Sequence, residues 1–307
     1  MPASSPRLLR FLAYLAVYVL WGASFLGIRE VVASLPSTSA AAIRFFTAGI
    51  LLLLWAALRG EPWPGRAEWR SAILLGLVMF AGDYGCLFWA EKHIASGLAA
   101  VISALIPVEI ALFEWRAARR SPSKALLAGT ACGVAGVAAL SIAHGRGGGV
   151  QVGAIAALLF GTLCWSAGTI WSRSLPLPKS KVVSAGVQMM FGGLWLGIIA
   201  ALLGEPAQLR TAAVTGKTIA AMAYLIIAAS IVAFTAYVWL IGHESPTRVA
   251  SYAYVNPVIA VLLGSAFAGE KLTLQTVLGT ALVLVGVIAV MRAKAGTSGP
   301  AAARKPA

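Results

Sequence analysis

The chain has 307 residues, 60% of them hydrophobic and 11% charged, with a net charge of +14. A water-soluble domain carries roughly 25% charged residues because its surface faces water, so this composition excludes an ordinary soluble fold. Nor does a buried core account for the apolar excess, which falls in blocks of membrane-spanning length.

Arg7 and Arg10 precede the first apolar run, Phe11–Ile28. That start resembles a signal peptide. The run is too long for an h-region and no small-residue cleavage site follows, so a retained first helix is expected. The second helix must start near Thr38 to end near Leu58, and it therefore contains Arg44. Ser71–Ala90 contains Asp83, and Ile94–Phe113 contains Glu109. Six further runs contain no Asp, Glu, Lys or Arg: Ala125–Ala143, Val150–Ser172, Val182–Leu203, Thr218–Gly242, Val249–Gly269 and Leu272–Met291. Each is close to the ~20 residues that cross a bilayer. The prediction is an all-α integral membrane protein with ten transmembrane helices, multi-pass in a cell inner membrane. The tail, residues 293–307, is basic and predicted to be disordered.

The charge orients the chain rather than binding nucleic acid. With the N-terminus inside, the cytoplasmic segments hold 17 Lys and Arg and the outer segments 6, while Arg44 lies within the membrane. This is the positive-inside pattern, with both termini cytoplasmic. Cys86, Cys132 and Cys164 sit in separate helices without a Cys-x-x-Cys pair, so packing is expected rather than a disulfide or a metal site.

Sliding the chain by 144 positions superposes Trp21 on Trp165, Arg29 on Arg173, Gly49 on Gly193 and Gly60-Glu61-Pro62 on Gly204-Glu205-Pro206. From the third helix on the offset is 150. Trp89 then meets Trp239, Pro107 meets Pro257, and Gly136-Val137 meets Gly286-Val287. Two five-helix repeats follow, residues 11–143 and 150–292. Five is odd, so the second copy enters the membrane from the opposite side. Inverted repeats are a common basis of alternating access around a midplane site. Gly-Glu-Pro itself reads as a helix stop.

The stretches "LWGASFLGIREVV", "AAIRFFTAGILLL", "AEKHIASGLAAVISALIPV" and "YVNPVIAVLLGSAFAGEKLTLQTVLGTALVLVGVIAV" resemble the EamA-type family of the drug/metabolite transporter superfamily. The resemblance spans residues 11–292. It implies ten helices in two inverted repeats and export or exchange of amino acids, other metabolites or drugs. One departure is Arg120, which stands where the repeat would place a mate of Glu270.

Pro107 and Pro257 interrupt matched helices and free the carbonyls of Ser103 and Ala253, which suits a hinge or a cavity edge. The candidate substrate-binding residues are Trp21, Tyr84, Glu109, Trp165, Tyr252 and Asn256. The aromatic faces can stack on a ligand or attract a cation; packing is the competing explanation. Tyr252 and Asn256 share a helix face. Arg44 and Asp83 both lie ~10 Å below the outer edge, from the ~1.5 Å rise per residue, and are expected to form an ion pair. A contact of Arg44 with a substrate carboxylate is the alternative. Glu109 could exchange a proton or hold a substrate ammonium, or it could accept from a donor such as Tyr252 or Asn256 and join the halves. Gly129, Gly133, Gly136, Gly279 and Gly286 give helices five and ten small-residue faces for close packing, within a monomer or in a homodimer.

No cofactor is expected. "GRGGG" at 145–149 lacks the Lys-Ser/Thr of a phosphate loop. The three histidines, His93, His144 and His243, lie in different loops without metal-ligand spacing. The partners expected are a small-molecule substrate, the lipid bilayer and, through Glu109, protons. The predicted function is a secondary or facilitative transporter of small metabolites such as amino acids, with efflux of organic cations as the alternative. An intramembrane enzyme or a non-transporting scaffold is the reading from another class.

Overall fold

The protein is described by a computed structural model covering residues 6–118, 124, 127–129, 131–136, 149–244, 249, 251–270 and 273–297. Among these residues every regular element is helical. In chain order the helices are α1 (Pro6–Val32), α2 (Ser37–Leu58), α3 (Arg66–Ala90), α4 (Ser96–Arg116), α5 (Leu127–Gly136), α6 (Gly149–Trp171), α7 (Lys181–Leu202), α8 (Gly216–His243), α9 (Tyr252–Phe267) and α10 (Leu274–Thr297). A short helix, Glu205–Arg210, joins α7 to α8. Seven helices, α1–α4 and α6–α8, are long and apolar enough to cross a membrane. The apolar parts of α5, α9 and α10 are shorter. Because α10 continues to Thr297, residues 293–297 of the expected tail are helical. Residues 298–307, Arg120, the loop 144–148 and much of the fifth expected span lie outside the described residues.

Packing repeats with the chain. α1 packs on α8 and α9, and α6 packs on α3 and α4, their counterparts under the same offsets. α2 crosses its own counterpart α7. A Cβ on Gly49 would stand 2.7 Å from Met190 Cα, and one on Gly193 would stand 2.7 Å from Phe46 Cα. Phe46 and Met190 are themselves 144 apart. The crossing is therefore one contact made twice, and a side chain on either glycine would force the backbones apart. α5 and α10 repeat the pattern: Gly136 abuts Val283 and Gly279, while Gly286 abuts Gly133 and Gly129. These small faces pack within one chain.

The helix ends follow the sequence. Gly60 (φ 67°) and Gly204 (φ 71°) both turn left-handed just past α2 and α7, the stop expected of Gly-Glu-Pro. α4 breaks at Ala104–Leu105, and its second half begins at Ile106–Pro107. α9 carries Pro257 without a break. α3 and α8 each widen into a π-helical segment, Gly76–Tyr84 and Leu225–Val232. The 150 offset carries the first onto 226–234, so this rare device occupies the same place in both repeats.

At the end of the bundle that carries the α1–α2 loop, the second repeat caps the first. Neither α2 nor α4 has a side-chain cap of its own. Glu205 accepts from the backbone N–H groups of Thr38 (3.2 Å) and Ser39 (2.6 Å) at the start of α2. Glu270 accepts from Ser96 N (2.7 Å), Ser96 Oγ (2.7 Å) and Gly97 N (3.1 Å) at the start of α4. Unsatisfied N–H groups and the positive helix end favour a carboxylate there.

Candidate functional site

A narrow cavity of about 50 Å³ lies at the centre of the bundle. α1 contributes Trp21, Ser24 and Phe25; α3 contributes Asp83, Tyr84 and Leu87; α6 contributes Trp165. The α4 break exposes Ser103 and Ala104 to it, and α9 supplies Tyr252, Asn256 and Pro257. Five of the six residues expected at a substrate site thus converge. Their rings meet edge to face: Trp21 with Trp165 at 5.8 Å, Trp21 with Tyr252 at 5.3 Å, and Tyr84 with Trp165 at 5.8 Å.

The repeat mates Trp21 and Trp165 play different parts. Trp21 Nε1 donates to Ala229 O at 3.0 Å, a carbonyl inside the π segment of α8. Its N–H is spent on structure. Trp165 packs against Tyr237 and Tyr252, which share its N–H. Buried polar atoms are normally satisfied, so Asn256 Oδ1, which has no partner among the described residues, is open to a ligand. Among the described residues Asp83 is the one charged residue of the lining. Aromatic faces around a carboxylate suit a cationic amine attached to an apolar body.

The EamA-like transporter family matches this chain twice, over residues 9–142 and 152–292. The chain belongs to the EamA-like transporter family. It is 35% identical over 285 residues to an uncharacterized inner membrane transporter, YedA, of Escherichia coli K12, covering 92% of this chain and 91% of that protein. It is 27% identical over 286 residues to a probable amino-acid metabolite efflux pump of Salmonella typhimurium, covering 90% and 92%. A solved crystal structure shares the fold with a TM-score of 0.62 at 20% identity, over 94% of this chain and 99% of the other. The protein is a multi-pass membrane transporter of this family, and the inner-membrane location expected from the sequence agrees with its relative.

Three expected site residues lie elsewhere in this EamA-like bundle. Arg44 and Asp83 form no ion pair. Arg44 Nε donates to Ser230 Oγ of α8 at 2.9 Å, and its guanidinium lies over Phe45, Tyr84 and Phe88 at 4.5, 5.1 and 5.9 Å. Asp83 faces α6 instead, where a Cβ on Gly161 would sit 3.1 Å from its Oδ1. Equal depth in the membrane did not mean a shared helix face. Glu109 is outside the cavity lining. Its carboxylate accepts from Thr162 Oγ1 and Ser166 Oγ of α6, each at 2.7 Å. It joins the two repeats, with donors other than the Tyr252 and Asn256 considered from the sequence. Pro107 starts the second half of α4, and its neighbour Ile106 lines the cavity in its place.

A second, wider space of about 300 Å³ opens at the end of the bundle that carries the α6–α7 loop. Ser172 and Arg173 just past α6, Lys181, Ser184 and Gln188 of α7, and Tyr237 of α8 line it. Tyr237 divides this vestibule from the cavity. Its ring lies 5.0 Å from Trp21 and 5.6 Å from Trp165. The sequence pattern missed Tyr237 because its repeat mate is Leu87, so no aromatic pair marks it.

Proposed function

We propose that the chain is a secondary or facilitative carrier that exports or exchanges small amphipathic amines, foremost amino acids and related metabolites. Substrate binds at the central cavity between two inverted five-helix repeats, and access alternates between the two ends. The two family matches and the doubled Gly49/Gly193 contact support the repeats. The excess of cytoplasmic Lys and Arg, 17 against 6, supports ten membrane spans with both termini inside. The vestibule at the α6–α7 end then faces the cytoplasm.

The observation that carries the substrate class is Asp83, the charged group of the lining, among the rings of Trp21, Tyr84, Trp165 and Tyr252 and beside the unpaired Asn256 Oδ1. The name of the Salmonella relative supports amino acids. Because the lining holds no Lys or Arg among the described residues, organic cations without a carboxylate are the second reading.

Uptake of labelled amino acids and of matching amines into proteoliposomes tests both. A charge-assisted hydrogen bond contributes ~1.5–3 kcal/mol, so Asp83→Asn should cut uptake about tenfold or more while the protein still reaches the bilayer. Uptake unchanged by Asp83→Asn would refute the assignment. Faster transport of the amines than of the amino acids would favour the second reading.

A further inference from the structure

The central cavity holds about 50 Å³. One water needs roughly 10–15 Å³ of such space, so there is room for a small ion with a few waters and not for an amino acid. The walls must part to admit a substrate. A monovalent cation needs no such movement.

Oxygen atoms without protein partners meet at this cavity. The Asp83 carboxylate, 7% exposed, makes no hydrogen bond or ion pair among the described residues, and the charge that acts on it is Glu109, of the same sign. Asn256 is 6% exposed and its Oδ1 has no partner. Ser103 and Ala104 line the cavity at the α4 break. Pro107 has no N–H to give the Ser103 carbonyl. Val108 N donates to Leu105 O at 2.9 Å and not to Ala104 O. Both freed carbonyls lie at the C-terminal end of the half-helix Ser96–Ser103, the negative end of its dipole.

These are hard oxygen donors, which suit hard cations. They carry one negative charge between them, which one monovalent ion balances. Among the described residues no three His, Cys, Asp or Glu come together as a multivalent metal would require. Unwound carbonyls and half-helix C-terminal ends hold coupling ions in membrane carriers generally. The narrow space favours sodium over the larger potassium.

We infer that Asp83, Asn256 Oδ1 and the freed carbonyls of Ser103 and Ala104 form a sodium site, and that sodium and the substrate amine compete for Asp83. This inference rests on the carrier reading above. Two cations cannot share one carboxylate in so small a space, so the carrier exchanges them, and an amine leaves the cell as sodium enters.

Sodium alone is the first probe. The full-length protein in detergent should unfold at a higher temperature in sodium chloride than in equal potassium or choline chloride, and the rise should saturate, as for any ligand of the folded state. Asp83→Asn should abolish the rise. Asn256→Ala should raise the half-saturating sodium concentration severalfold. Pro107→Ala, which leaves the cavity side chains in place and returns an N–H to the Ser103 carbonyl, should do the same. In proteoliposomes at fixed pH, an inward sodium gradient should speed efflux of a preloaded labelled amine severalfold over an equal potassium gradient. A parent protein that unfolds at one temperature in all three salts and moves amine equally with either gradient would overturn the sodium site. So would a sodium effect that survives both Asp83→Asn and Asn256→Ala, or efflux that follows a pH gradient and ignores sodium. A sodium-specific rise lost in these variants, in protein that moves no amine, would keep the site and overturn the carrier reading.

Discussion

Gly193→Ala is the cleanest probe of the doubled crossing between α2 and α7. The new Cβ would lie 2.7 Å from Phe46 Cα and nearer still to Phe46 N, against an ordinary contact distance of at least 3.4 Å. No rotamer change relieves a clash with backbone, so the helices must separate by about 0.7 Å or more. Overpacking of this kind typically costs about 1–3 kcal/mol. Gly49→Ala makes the same clash with Met190 and should cost about as much. The double variant should cost less than the sum, because one separation makes room for both methyl groups. Gly197→Ala, also on α7, is the control. Nothing lies within 4 Å of its Cβ, and a helical Gly→Ala change gains ~0.5–1 kcal/mol. Thermal unfolding in detergent should rank Gly197→Ala at or above the parent and Gly193→Ala below it, on the order of 2–4 °C per kcal/mol. Equal midpoints for Gly193→Ala and Gly197→Ala would refute the close crossing.

Reporter fusions at the C-terminus and in the loop 144–150 should report opposite sides of the membrane; the same side would sink the ten-span topology. A double-mutant cycle of Arg44→Gln with Asp83→Ala should be additive within ~0.5 kcal/mol, since the two make no pair, while Arg44→Gln with Glu91→Gln should couple. Glu270→Gln loses a carboxylate that accepts three hydrogen bonds from the start of α4; it should lower the unfolding midpoint by an amount worth about 1–2 kcal/mol, the scale of a lost helix cap. Burial, then the neighbouring Glu270, pushes the Glu91 carboxyl well above the usual range, with Arg29 and Arg44 acting against them. The closed end therefore favours the protonated acid and opening favours the anion, so closure gains as pH falls and is lost as pH rises through the raised value. Labelling of Ala40→Cys by a membrane-impermeant thiol reagent should fall with acidification, and Glu91→Gln should remove that dependence.

The offsets of 144 and 150 were legible in the sequence because glycine, proline and tryptophan recur at them, and each has a backbone or packing reason to recur. The same mates brought Trp21, Trp165 and Pro257 to the cavity, and four-residue spacing added Tyr252 and Asn256. Charges were harder to read. Sequence position gives the depth of Arg44 and Asp83 in the membrane but not the direction each helix face points; one turned to α8 and the other to α6. The partners of Glu109, Thr162 and Ser166, are an i, i+4 hydroxyl pair on α6, and no repeat mate of Glu109 marked them. The π segments left no trace because a widened turn changes no residue type. Glu91 follows α3 by one residue and nothing in the sequence marks it, yet packing buries it fully.

The contacts at Gly49 and Gly193 exchange under the 144 offset, and the charges do not. Arg44, Asp83 and Glu91 lie in the first repeat, and their mates are Gln188, Ala233 and Ile241. A symmetric scaffold would place its two open forms near equal free energy. Burying Arg44 and Glu91 penalises closure at the α1–α2 end, and their attraction to each other and to Arg29 acts against that penalty. That end is nonetheless the closed one, so something must offset the penalty there. Glu205, Glu270 and Arg29 are placed to do so, because each ties α2 or the α3–α4 junction at that end through charge-assisted bonds. The contacts at the other end are looser. Arg173, the mate of Arg29, reaches Glu114 at 3.2 Å with its side chain 47% exposed, and a pair so open to water contributes little. The ties and the buried charges thus form one balance. Glu270→Gln should therefore do more than weaken a helix cap: it should raise labelling at Ala40→Cys as it lowers the unfolding midpoint. A fall in the midpoint with labelling unchanged would mean that the cap stabilises both open forms equally and sets no balance between them.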